Sequence, residues 1–274
     1  MDPLDLDQLA FSGHTLNVEE RAGLEVAITQ RRLEDGLTEA QFWGKLTGVE
    51  ADYLIVAGIP PSQDFPRKQF YYCTSKDFAL VAFPKVSSAF AAAVGAVKGP
   101  FKGTPSALLN EDDEGLCDVD EDGNPMPRAE KLREAHRLAT TVAAIDAEVS
   151  VVPRGAYVVN ATHYVIRNAA FGGLTPTEAG DLTNYFHFRE PVELARKSVL
   201  ERRGLVASTD FLDPIAEDAP RGVWAVRVDK ARGRASLRSL AWPGYFFFHN
   251  TQSARFGGAY FGNGQRNDDI GFMV

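Results

Sequence analysis

One short acidic run has the residue types and spacing to hold a calcium ion. Asp118-Val-Asp-Glu-Asp-Gly123 matches positions 1, 3, 5 and 6 of an EF-hand loop, three carboxylates and the glycine of its sharp turn. The match then stops. Position 12 needs a bidentate glutamate but is Ala129, with Glu130 one residue late, and Pro125 and Pro127 stand where paired loops need strand. A solvated acidic loop is the plainer reading; a calcium-responsive regulator is the sharper alternative.

A second chemistry would use thiols and imidazoles. Cys73 or Cys117 beside His163 or His187 would make a thiol enzyme with a dispersed site. Such a site needs each base within hydrogen-bond reach of its partner, and nothing local supplies one. The chain has no Gly-x-Ser-x-Gly elbow, no His-Glu-x-x-His and no P-loop. Gly262-Asn-Gly264 lacks the third glycine of a nucleotide loop and reads as a turn. The histidines therefore read as structural or surface residues, and the two cysteines cannot form a disulfide framework or a four-cysteine zinc site.

The denser signal is aromatic residues and arginine on short segments: Phe42-Trp43, Phe70-Tyr71-Tyr72, residues 185–189 and residues 242–248. Core packing accounts for most such side chains, yet the same types are the enriched anchors of protein interfaces. The candidate partner contacts are Trp43, Tyr53, Tyr185, His187, Arg189, Trp242 and Tyr245. An extended backbone over 185–189 puts Phe186 and Phe188 on one face. Tyr185, His187 and Arg189 take the other face, which could meet a partner.

Charge narrows the function classes. The chain has 274 residues, 37 acids and 29 bases, for a net −8. Eight acids and no base lie within 109–122, so the remainder has 29 of each sign. A neutral body argues against a nucleic-acid platform, which needs a basic face. The start of the chain lacks the basic-then-apolar pattern of a signal peptide. The longest apolar stretch, 89–97, is far below the ~20 residues that span a bilayer. The expectation is a soluble, intracellular protein.

These residues need elements to position them. Residues 17–34 read as a helix: Asn17 with Glu20 has capping-box spacing, and Leu24, Ala27 and Ile28 give the buried stripe. A short helix is expected at 38–41. Residues 42–47 and 52–57 form a hairpin, and 69–74 and 78–83 add strands. An alanine-rich helix is expected at 89–97 and a loop at 99–106. The strongest helix is 127–148, with Leu132, Ala135, Ala139, Val142 and Ile145 in step. Thr175-Pro-Thr-Glu178 starts a helix ending near Asn184, and Pro191 opens another ending at Arg203-Gly204. Residues 150–167 are strand-like but broken at Pro153-Arg-Gly155. Residues 222–229 pair with 235–242, and 245–250 and 259–262 are further strands. The class is α+β, a mostly antiparallel sheet with several flanking helices. It reads as a single compact unit, residues 1–274, whose halves 1–108 and 128–274 flank an acidic loop at 109–127.

The segments also carry a resemblance. Phe42-Trp-Gly44, Ala51-Asp-Tyr53 with Gly58, Pro66-Arg-Lys68, Val97-Lys-Gly99 and Pro153-Arg-Gly155 match the pattern of one family in order. So do Tyr185-Phe-His-Phe-Arg-Glu-Pro-Val-Glu-Leu194, Leu237-Arg-Ser-Leu240, Trp242-Pro-Gly244 and Phe272-Met273. In these residues, over nearly its whole length, the sequence resembles the radial spoke head protein 9 family of the ciliary and flagellar axoneme. The resemblance implies a non-enzymatic structural subunit without a cofactor, similar in fold to its larger partners, radial spoke head proteins 4 and 6. It further implies assembly with these and other spoke-head subunits, contact of the head with central-pair projections, and regulation of dynein-driven bending. The implied location is the axoneme, with a cytoplasmic stage before assembly. The acidic segment departs from the family pattern and carries no family role.

Overall fold

Asn17 opens the first helix as its spacing predicts. Its Oδ1 accepts from the Glu20 backbone N–H at 2.7 Å, and the Glu20 carboxylate accepts from the Asn17 N–H at 3.1 Å. The reciprocal cap satisfies two donors that a helix start otherwise leaves open. The helix, α1 (Val18–Glu34), buries Leu24, Ala27 and Ile28. The computed structural model describes residues 1, 3–61, 64–86, 91, 94, 97, 99–109 and 132–272.

Eight strands form one sheet. The first four are β1 (Glu39–Leu46), β2 (Tyr53–Ile59), β3 (Gln69–Thr74) and β4 (Asp77–Ala82). Three short strands follow: β5 (Val151–Pro153), β6 (Tyr157–Val159) and β7 (Val165–Arg167). Next come β8 (Tyr185–His187), β9 (Trp224–Asp229), β10 (Arg234–Ser239), β11 (Tyr245–Asn250) and β12 (Phe256–Gly262). The large sheet runs β4-β3-β2-β1-β12-β11-β10-β9, while β5 pairs β8 and β6 pairs β7. The eight-stranded sheet is two antiparallel meanders joined by the parallel pair β1 and β12. The fold is α+β with a mostly antiparallel sheet.

The join depends on Gly44. It lies opposite Tyr260, and a Cβ there would come within 2.5 Å of the Tyr260 carbonyl oxygen. The register of β1 against β2 slips between Phe42 and Gly44, a bulge that breaks the two-residue alternation. Phe42 and Lys45 consequently face α1, while Trp43 and Leu46 face the opposite side.

Each face is covered by a helix. On one, Phe42, Leu54, Val56, Phe248 and Phe261 pack under α1 and an N-terminal 3-10 helix, Pro3–Ser12. On the other, Trp43, Tyr53, Ile55, Phe247 and Tyr260 pack under α2 (Glu134–Val149) through Leu138, Val142, Ile145 and Val149. Burying one such side chain contributes about 1.5–3 kcal/mol, so these two layers dominate the stability.

Four expectations change. Residues 39–41 are strand rather than helix, because β2 extends to Ile59 and supplies them with pairing partners. The long helix starts at Glu134, not 127: the Leu132 carbonyl accepts from Leu109 N–H and Arg133 bridges Leu108, which holds both extended. Thr175 and Glu178 make their cap contacts, but the helix is only two 3-10 turns, since Asp181 caps a new turn at Leu182–Asn184. Residues 191–204 form two single turns, Glu193–Arg196 and Val199–Arg202, because Ser198 stops the first and caps the second. The helix expected at 89–97 and the acidic loop expected at 109–127 both fall mostly outside the described residues.

Candidate partner-binding surfaces

The sequence-predicted aromatic contacts turn inward. Tyr53, Tyr185, His187, Trp43, Trp242 and Tyr245 are all buried within the chain. Their polar tips have internal partners. The Trp43 indole N–H donates to Asp146 at 2.9 Å, the Trp242 indole N–H to Glu148 at 2.8 Å, and the Tyr53 hydroxyl to Glu134 at 2.6 Å. All three acceptors lie on α2, so the sheet and its β10–β11 connection grip both ends of that helix by aromatic donors. Glu134 also accepts from the backbone N–H of Lys102 and Gly103, at 2.8 Å each, which fixes the 99–106 loop. Lys68 reaches Asp146 at 2.6 Å and Ser150 at 2.6 Å, closing the far end. Burial pushes the Tyr53, Tyr185 and Tyr245 hydroxyls above their ordinary range, so all three stay neutral.

The ten residues from Tyr185 to Leu194 have an equally internal use. Phe186 and Phe188 do share one face, packed with Val152 and Leu212. The other face, expected to meet a partner, is also covered. The Tyr185 hydroxyl donates to the Ala179 carbonyl at 2.9 Å. His187 Nε2 sits 2.8 and 3.0 Å from the Asp218 carboxylate, which also accepts from the Trp224 indole at 2.7 Å. Arg189 is partly exposed and pairs with Asp213 at 3.2 Å. The Asp213 carboxylate additionally accepts from the backbone of Val192 and Leu194, at 2.8 and 2.7 Å. Burial alone would raise the Asp213 pKa, but these donors and Arg189 outweigh it and hold the group below the usual carboxylate range.

Among the described residues, no thiol and histidine are brought together as the thiol-enzyme alternative would need. Cys73 is buried under α1, and burial pushes its pKa up to about 12, which keeps it a protonated, unreactive thiol. His163 is exposed on a turn with φ +63°, and His187 is held by Asp218. Cys117 and the Asp118–Gly123 run lie outside the described residues. Among the described residues, no cluster of three or more His, Cys, Asp or Glu could hold a metal ion, and no helix is long and apolar enough to cross a membrane.

What remains for partners is what the fold leaves outside. Val199 and Leu200, 86% and 77% exposed, project from the single turn Val199–Arg202 next to exposed Leu205 and Val206. Sequence reading absorbed these residues into a longer helix. The signal that could have separated them is Ser198 with Glu201, a second capping box within the supposed helix.

No protein-family model matches the chain. Along nearly its full length it is similar to proteins named "Radial spoke head protein 9 homolog". The Danio rerio protein is 39% identical over 272 residues, covering 98% of this chain and 97% of the relative. Those of Homo sapiens and Bos taurus are each 34% identical over 274 residues, covering 99% of this chain and 98% of the relative.

Proposed function

This chain belongs to the radial spoke head protein 9 family, and from that membership we propose that it is a non-enzymatic structural subunit of the radial spoke head. In this reading it works in the axoneme of cilia or flagella and assembles with radial spoke head proteins 4 and 6 and other head subunits. It passes from the cytoplasm into the axoneme on assembly. There it contributes to the mechanical regulation of dynein-driven bending, with the head meeting central-pair projections. The observation that carries the reading is the end-to-end similarity to spoke-head relatives over almost the entire length of both chains.

The build of the molecule suits that task. Strands from both sides of the acidic segment share one sheet, which supports its acting as one unit under load. Six of the seven candidates are buried and act as its internal frame, so they position the partner surface; Arg189, partly exposed, remains a candidate contact. Partner contact then falls on exposed apolar side chains such as Val199, Leu200 and Val206. A lasting interface of this kind is typically 2,000 Å² or more.

The test is axonemal incorporation. A tagged copy expressed in motile ciliated cells lacking the native protein should co-fractionate with the axoneme and resist detergent. Recovery only in the soluble fraction, with beating unrestored, would refute the assignment.

A further inference from the structure

We propose that the open face of the β9–β10 hairpin is a docking site for an acidic peptide segment of a partner protein. The proposal rests on the assembly reading and specifies the chemistry of one contact.

The body of the chain is neutral only on average. Between Arg221 and Arg238 it carries six bases, Arg221, Arg227, Lys230, Arg232, Arg234 and Arg238, against one acid, Asp229. Strand alternation sorts them. Trp224 and Val226 on β9, with Ala235 and Leu237 on β10, turn to the α2 side and into the core. Ala225, Arg227, Asp229, Arg234, Ser236 and Arg238 therefore turn to the α1 side, with Asp229 opposite Arg234, Ser236 opposite Arg227 and Arg238 opposite Ala225.

Over the rest of that face α1 and the N-terminal 3-10 helix cover the sheet, but the cover ends at Phe11. The Phe11 ring meets Phe246 edge-on at 6.2 Å and lies under the Arg234 guanidinium at 5.5 Å. Beyond it a shallow groove of about 510 Å³ runs between Phe11, Phe246 and the arginines. Phe11 and Phe246 give it an apolar wall and the guanidinium groups a charged floor.

Among the described residues the charge on this floor is only partly neutralised, by Asp229. Some exposed arginines pair with carboxylates, as Arg67 does with Glu190, Arg196 with Glu193 and Arg266 with Glu148; what sets this face apart is that several guanidinium groups share one groove. Arg227 and Arg238 are exposed and have no ion-pair partner among the described residues. Asp229 lines the groove as well; it accepts from the backbone N–H groups of Ala231 and Arg232 and lies 3.8 Å from the Arg232 guanidinium, so it offsets one base and leaves the face with an excess of positive charge. Like charges gathered on one face repel, and an acidic segment laid across them relieves that cost. Because screening limits each charge to about 8–10 Å at physiological salt, the face acts locally, despite the net −8 of the whole chain. A nucleic acid would need a longer basic track than one hairpin offers.

The experiment is fluorescence anisotropy on the full chain with a fluorescein-labelled alternating Glu-Gly peptide. Wild type should bind it at low salt and more weakly as salt rises. Arg227→Glu with Arg238→Glu should lower affinity about tenfold or more, since two exposed pairs become repulsions. Arg227→Lys with Arg238→Lys should retain most of it. A control pair on exposed arginines elsewhere, Arg32→Glu with Arg203→Glu, should bind as wild type. All four proteins should share one unfolding midpoint. The proposal is overturned if wild type does not bind, if the control loses as much affinity, or if a single-stranded oligonucleotide binds this face more tightly than the peptide. Co-purification with radial spoke head proteins 4 and 6 is measured in parallel. A complex without selective peptide binding sinks this proposal alone; selective peptide binding without a complex sinks the assembly reading alone.

Discussion

The Trp43 indole N–H donates to the Asp146 carboxylate at 2.9 Å, joining β1 to α2 across 103 positions of chain. The bulge between Phe42 and Gly44 is what aims the indole at the helix rather than at α1. Trp43→Phe keeps the ring and removes the donor. Asp146 retains Lys68, so no buried charge is orphaned, and the expected loss is about 1–2 kcal/mol. Urea unfolding checks it, and a double-mutant cycle with Asp146→Asn should show the two changes to be non-additive.

Gly44 is a sharper test of the meander junction. Gly44→Ala puts a methyl against the Tyr260 backbone carbonyl, which cannot rotate away as a side chain could. Overpacking of this kind costs about 1–3 kcal/mol. The loss should appear as earlier hydrogen exchange along β1 and β12, with β9 and β10 less affected.

Acid stability should fall in two windows. His249 is fully buried, accepts from the Leu174 N–H through Nε2 at 3.0 Å, and burial lowers its pKa to about 4 from 6.5. The unfolded chain takes up that proton first. Stability is therefore complete above pH 6.5 and declines as pH falls toward about 4, by roughly 3 kcal/mol. Asp213 and Asp210 have depressed pKa values, so their contribution persists above the unfolded value near 3.8 and is lost only below it. His249→Gln should flatten the upper window and leave the lower one. Unfolding midpoints between pH 7 and 3 are the measurement.

Much of the fold is legible because its signals are local. Asn17 with Glu20, the hairpin around Arg232-Gly233 and the stripe through Val142 and Ile145 each need only neighbours a few residues away. The purpose of the aromatic segments is not local. Trp43, Tyr53 and Trp242 have the composition of interface anchors, and the carboxylates that bind their tips lie 81 to 103 positions away. Residues 175–184 and 191–204 show the converse: a correct cap at Thr175 or Pro191 does not guarantee a helix when Asp181 or Ser198 caps a new turn a few residues on. The basic face was hidden by counting, since Arg227 and Arg238 vanish into a neutral total until strand alternation puts them on one side.

The exposed apolar turn separates assembly from stability. Leu200→Asp changes a side chain that touches little of its own chain, so the unfolding free energy should stay within about 0.5 kcal/mol of wild type. Binding to spoke-head partners should weaken. Equal binding by the variant would move the seam elsewhere on the surface.

The central claim is that this chain is an assembly subunit, and co-expression tests it most directly. The full chain is expressed with radial spoke head protein 4 or 6, purified through a tag on the partner, and its mass measured by light scattering. The account predicts a single stoichiometric complex that survives dilution and salt. Separate elution of the two proteins, with this chain folded and the partner intact, would contradict it.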